Sequence, residues 1–197
     1  MIDRSRLMAA GVLASPLVLA LAAGVAYVVS GTADAGDAKP AVIFTDGHGT
    51  DPKDRGRSVV LIAAALGVKP EVFREAFSGV TPAKDGKPSK EEAQKNKAAL
   101  MKVLKPHGVT GDRLDEVSNY YRFKPGKGNL WTTAPAKAYA VLEGGKVKRI
   151  VVTDPGSGYS TAPKATVEGM EKIGLKVTIE FSKDMKKNGA ITSVAVE

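Results

Sequence analysis

The chain has 197 residues, with 29 Lys and Arg against 21 Asp and Glu and no cysteine. The missing cysteines exclude a disulfide scaffold, thiolate metal sites, a cysteine nucleophile and a lipidated cysteine anchor. The net charge of +8 fits either a lysine-covered soluble surface or affinity for an anionic polymer.

Residues 1–35 read as a targeting segment. Arg4 and Arg6 form a short basic start, a 23-residue apolar run extends from Leu7 to Val29, and Ala33-Asp34-Ala35 is an Ala-x-Ala cleavage pattern. The run is long for a signal peptide and long enough to cross ~30 Å of hydrocarbon. Against a permanent anchor stand its many alanines, Gly11, Gly24 and Pro16. We read a signal peptide cleaved after Ala35, with an uncleaved N-terminal anchor holding the chain to the membrane as the alternative. Either way the arginines stay inside and the remainder lies outside the cytoplasm.

Residues 36–58 form a polar loop or linker. Ala41 to Phe44 is a short apolar stretch that reads as a β-edge. Beyond it, Asp46, His48, Asp51 and Asp54 supply oxygen and imidazole groups to a glycine-rich loop, which one reading gathers around a divalent cation. The spacing matches no calcium loop, and the terminal glutamate of an EF-hand is missing. The competing reading needs no cofactor: Asp51 or Asp54 caps the next helix while the glycines turn the chain.

Residues 59–125 read as a helical block. Val59, Leu61, Ile62, Ala65 and Leu66 give one inner face, closed by Gly67. Pro70 opens a second helix with Val72, Phe73, Ala76 and Phe77 on its buried side. This pair has the outline of a helix-turn-helix, yet the export signal and Glu71 and Glu75 on the second helix argue against nucleic acid. Ser89 and Glu92 make a capping box for a third helix, whose predicted inner stripe is Ala93, Leu100, Met101 and Leu104. Thr110 caps a fourth carrying Leu114, Val117 and Tyr121. Gly108-Val109 echoes Gly67-Val68, so the block reads as two helical hairpins.

Tyr120, Tyr121, Phe123 and Trp131 are interleaved with Arg122, Lys124 and Lys127. Flat rings beside cations and amides suit a glycan or peptide ligand. The alternative makes them the cement between the helical block and a β module.

Residues 126–197 read as that β module. Alternation at Ala138, Ala140 and Leu142, then Gly144-Gly145, then Val147, Ile150 and Val152 gives one hairpin. A second repeats it 44 positions on, with Val177, Ile179 and Phe181, the turn Asn188-Gly189, then Ile191, Val194 and Val196. The two are joined by Asp154 to Gly174, which opens with the turn Asp154-Pro155-Gly156-Ser157-Gly158.

The run Val152-Thr-Asp-Pro-Gly-Ser-Gly-Tyr-Ser-Thr-Ala-Pro163, with Gly156, Gly158, Tyr159 and Pro163 as its marks, resembles the glycine-tyrosine β-repeat of phage tail, adhesin-like and secreted bacterial proteins. The likeness covers roughly the last 60 residues, and implies a scaffold or ligand-contacting β module without naming a ligand. It adds Tyr159 to Tyr120, Tyr121, Arg122 and Trp131 as candidate ligand contacts.

The sequence therefore predicts an α+β fold, with a small N-terminal helical block of about four helices followed by an antiparallel module of two hairpins. No Gly-x-Ser-x-Gly elbow, His-Glu-x-x-His helix or phosphate loop is present. The expected role is structural or binding rather than catalytic, in a bacterial envelope or at a cell surface. The partner would be an envelope glycan, a peptide or another protein. Two further readings are a metal-assisted hydrolase of envelope glycan or peptide, built on Asp46, His48, Asp51 or Asp54, and a polyanion-binding surface protein.

Overall fold

The computed structural model describes residues 39–81, 88–122 and 130–197. The targeting segment, most of the Val80–Pro88 linker and residues 123–129 of the aromatic loop lie outside them. Four helices and two antiparallel sheets make this an α+β fold.

Both predicted hairpins form. β2 (Lys137–Glu143) pairs with β3 (Lys146–Asp154), and β5 (Leu175–Glu180) with β6 (Ala190–Val196). Two features escaped the sequence. β1 (Ala41–Thr45) is no edge but lies inside a four-stranded sheet of order β3-β2-β1-β4. Its other neighbour, β4 (Lys164–Val167), occupies the stretch expected to be only a connection, and Val42 pairs there with Val167. Val42, Ala138, Ala140 and Val167 fill the buried face of this sheet. Ile191, Val177 and Tyr159 fill the space between it and the β5–β6 ribbon.

α1 (Val59–Leu66) is apolar almost all round, and six of its eight residues are buried, as expected of a helix surrounded by other elements. Neither Asp51 nor Asp54 caps it: Ser58 holds the N-cap position without a side-chain capping bond. Asp51 instead caps a short 3-10 turn at Pro52–Asp54, accepting from the Lys53 amide. α2 (Pro70–Ser78) begins at its proline and buries Phe73 and Ala76.

The capping box of α3 (Lys90–Leu104) is formed. Ser89 Oγ accepts from the Glu92 amide, and Glu92 Oε2 accepts from that of Ser89. The expected inner stripe is shorter than predicted, because α3 meets the core only near its C-terminal end. Leu104 is buried, Leu100 and Met101 are half-buried, and Ala93 is exposed.

α4 (Gly111–Tyr120) is capped by Thr110 Oγ1, which accepts from the Arg113 amide. The Gly67-Val68 and Gly108-Val109 echo has a common cause: both dipeptides close a helical segment by the same pair of bonds. The Gly67 amide reaches Ala64 O and the Val68 amide Ala63 O; the Gly108 amide reaches Lys105 O and the Val109 amide Leu104 O. This is the Schellman arrangement, glycine in the left-handed region and then an apolar residue folded back onto the core.

The Asp154–Ser160 run passes through the centre of the assembled elements, and Gly156 to Ser160 are all buried. Ser157 exchanges two backbone bonds with Ala134, the Gly158 amide donates to Asn188 O, and that of Tyr159 to Gly189 O. On the opposite flank the Ser160 amide donates to Gly47 O and its hydroxyl to Gly49 O. Gly158, at φ +85°, leaves no room for a Cβ, which would lie 2.8 Å from Thr132 O. Gly156 and Gly158 of the repeat-like motif are thus required by crowding from the 132–136 segment.

Candidate functional site

The residues singled out by sequence fall into two sets. Trp131, Tyr159 and Tyr121 belong to the interior, and their polar tips are occupied by the protein itself. Trp131, 4% exposed, donates its Nε1–H to Gly158 O at 2.9 Å. Tyr159 Oη accepts from the Ala136 amide at 3.0 Å. Tyr121 Oη accepts from the Asn188 side-chain amide at 2.9 Å, and burial pushes its hydroxyl up to about 12. Tyr120 packs edge-on against Tyr121 and is half-buried. Arg122 is exposed and donates to Asn119 Oδ1.

Of the four loop residues proposed as metal ligands, Asp46 and His48 have partners of their own, while Asp51 and Asp54 share Arg74. Asp46 is exposed and pairs with Lys164 at 3.0 Å. Asp51 pairs with Lys53 at 3.0 Å, and that hydrogen bond holds its carboxyl below the usual range. The Asp54 side chain is 4% exposed and gripped by Arg74 through two bonds of 2.8 Å, Nε to Oδ1 and Nη2 to Oδ2. His48 stacks on Tyr159 and meets the edge of Trp131. Its buried Nε2 has no hydrogen-bond partner among the described residues, and burial lowers its pKa. Among the described residues, no three His, Asp or Glu side chains gather as a metal site would require.

What the fold does assemble is a cationic groove along the loop before α1 and the outer side of α2. Arg57 stands at its middle, half-buried, with its guanidinium 4.2 Å from the Phe77 ring centroid. On one side of this pair is a hollow of about 620 Å³ lined by Lys53, Asp54, Arg55, Arg74 and Val80. On the other is one of about 640 Å³, reaching Ile62, Phe73, Tyr121 and Arg122. A third, of about 230 Å³, lies at the N-terminal end of α1 between Thr50, Ser58, Ser160 and Thr161. Arg57 lines all three.

The loop is shaped to present these cations. Arg55 takes the left-handed region at φ 50° and Gly56 follows at φ 80°, reversing the chain so that Arg55 and Arg57 line the same hollows. Arg74 is neutralised by Asp54, with Glu71 and Asp51 near it. Arg55 and Arg57 meet no carboxylate at ion-pair distance among the described residues. Burial, and then the neighbouring Arg55 charge, disfavour the charged form of Arg57, while Asp54 partly offsets them. A desolvated cation without a counter-charge is costly, and an incoming anion would remove that cost.

Of the residues singled out by sequence, Asp54, Tyr121 and Arg122 line the two larger hollows. Arg55, Arg57, Arg74 and Phe77 were missed. The available signal was an Arg-Gly-Arg run directly before an apolar helix. No family model, curated protein or solved structure matches the chain.

Proposed function

We propose that this chain is an exported bacterial envelope or cell-surface protein that binds rather than catalyses, and that acidic groups of an envelope polymer or partner occupy the arginine-lined groove. The N-terminal pattern of Arg4, Arg6, the Leu7–Val29 run and Ala33-Asp34-Ala35 supports export. The observation that carries the binding reading is Arg57: half-buried on Phe77, beside Arg55, without a carboxylate of its own among the described residues. Planar guanidinium groups on an aromatic face suit carboxylate, sulfate and phosphate groups alike. The carboxylates a hydrolase would need are taken by Lys164, Lys53 and Arg74.

The test is retention on a sulfated polysaccharide matrix as salt is raised. Retention should fall steeply with salt, and replacing Arg55 and Arg57 by serine should weaken it more than the equal charge loss at exposed Lys95 and Lys102 of α3. Equal losses from the two pairs would reduce the groove to general surface charge and overturn this reading.

A further inference from the structure

The smallest of the three hollows differs from the open groove beside it. It lies at the start of α1, where the first amides of a helix have no intrahelical acceptor; that of Val59 donates to Arg57 O at 2.9 Å, and Val60 lines the hollow next to it. The residue that would normally satisfy one of them, Ser58, makes no side-chain capping bond. Ser58 is 1% exposed, and its buried Oγ has no hydrogen-bond partner among the described residues. A buried hydroxyl left without a partner is uncommon in a folded protein and marks a place where a polar group is missing.

Arg57 and Arg74 stand on the same wall as Ser58. Asp51 and Asp54 do too, but Arg74 takes both oxygens of Asp54, and Lys53 holds Asp51. The ionic groups that line the hollow are two arginines and two carboxylates, and with Arg74 committed to Asp54, Arg57 is the one with no carboxylate at ion-pair distance among the described residues. The hollow is about 230 Å³, room for one tetrahedral or planar oxyanion and its near hydration.

We infer that this hollow is a site for a single oxyanion, a phosphate-type or carboxylate group, bound by the Arg57 guanidinium, the Ser58 hydroxyl and the Val60 amide. The inference rests on the binding reading above for the role of Arg57, but adds a saturable site of fixed stoichiometry at one end of the groove. The anion accepts a hydrogen bond from Ser58 Oγ, sits at the positive end of the α1 dipole and supplies the counter-charge that Arg57 lacks among the described residues. A polymer crossing the groove would be fixed at this point by one acidic substituent.

The experiment is a titration of the full-length chain with inorganic phosphate and, separately, acetate, at constant ionic strength, read by amide resonances and melting temperature. Either anion should move the Val59, Val60 and Leu61 amides along a one-site saturation curve and raise the melting temperature. Chloride at the same ionic strength should not. Arg57→Gln should weaken the apparent affinity about tenfold, the worth of one charge-assisted hydrogen bond. Ser58→Ala provides the control against simple misfolding: removing a hydroxyl with no partner should leave the melting temperature without phosphate unchanged or higher, while abolishing the phosphate-induced rise. Responses that grow without saturating, that chloride reproduces, or that survive both substitutions would overturn the site. Saturable phosphate binding without salt-dependent retention on the polysaccharide would leave the pocket standing and remove the surface reading; the reverse result would do the opposite.

Discussion

The side-chain amide of Asn188 donates to the phenolic oxygen of Tyr121 at 2.9 Å, inside the core. The same amide reaches Leu61 O at 2.8 Å, and Asn188 Oδ1 accepts from the Ser182 amide at 3.0 Å. Asn188 is 0% exposed. A residue that reads as ordinary turn chemistry thus ties α1, the end of α4 and the β5–β6 ribbon to one another.

Asn188→Ala should therefore destabilise the fold far more than a turn substitution does. It strands the half-buried Ser182 amide and removes two donated bonds, for about 2–4 kcal/mol in urea unfolding. Tyr121→Phe should cost less, about 1–2 kcal/mol, and the two should be strongly non-additive because they share a bond. Additive losses in a double-mutant cycle would show that the pair does not act together.

The two hairpin turns carry glycines that look alike in sequence and should behave differently. Gly144, at φ +57°, has nothing within 4 Å of an added Cβ, so alanine there should cost only the left-handed penalty of about 1–2 kcal/mol. At Gly189, φ +70°, the same Cβ would overlap the Tyr159 carbonyl oxygen and lie 2.8 Å from the Tyr159 nitrogen. Backbone there must move, and Gly189→Ala should lower the melting temperature at least twice as much. Equal shifts in the two variants would refute this packing account.

His48 should make stability depend on pH in a predictable direction. Burial lowers its folded pKa below the value of about 6.5 that it has in an unfolded chain. Between those two values the unfolded state binds more protons, so stability falls as pH drops through 6.5 and levels off below the folded pKa. His48→Phe keeps a ring against Tyr159 but cannot titrate, and should flatten urea-unfolding stability between pH 7.5 and 5. A variant with the wild-type slope would assign the effect elsewhere.

The Asp54–Arg74 pair should break asymmetrically. Arg74→Met leaves a nearly inaccessible carboxylate without its counter-charge, for about 3–5 kcal/mol. Asp54→Asn leaves Arg74, which is 23% exposed and still has Glu71 and Asp51 near it, and should cost clearly less. Chemical denaturation of the two variants checks the order, and a reversed order would mean that the arginine is the desolvated partner.

Local chemistry made most elements legible. The capping box at Ser89, the proline at the start of α2, the closing Gly67 and the alternation in both hairpins act over a few residues and leave their mark there. The placement of β1 did not, because Ala41 finds Tyr139 and Val42 finds Val167, and five apolar residues carry no label for partners so distant. β4, four residues after Pro163, is too short for alternation to distinguish it from a connection. The ion pairs of the loop acids are illegible for the same reason: Lys164 and Arg74, which pair with Asp46 and Asp54, come from elsewhere in the chain. Asn188 and Tyr159 stand out in the sequence by turn and motif, while their burial depends on what surrounds them.

The inward position of β1 also orders events in time. A ribosome or a translocation pore releases residues 41–45 long before 137–167 exist on the same side, so until then β1 has neither of its sheet neighbours. A chain wired in this way cannot mature piece by piece from its beginning: the early segment waits in an unfinished state, open to chaperones and proteases, until the late strands arrive to enclose it.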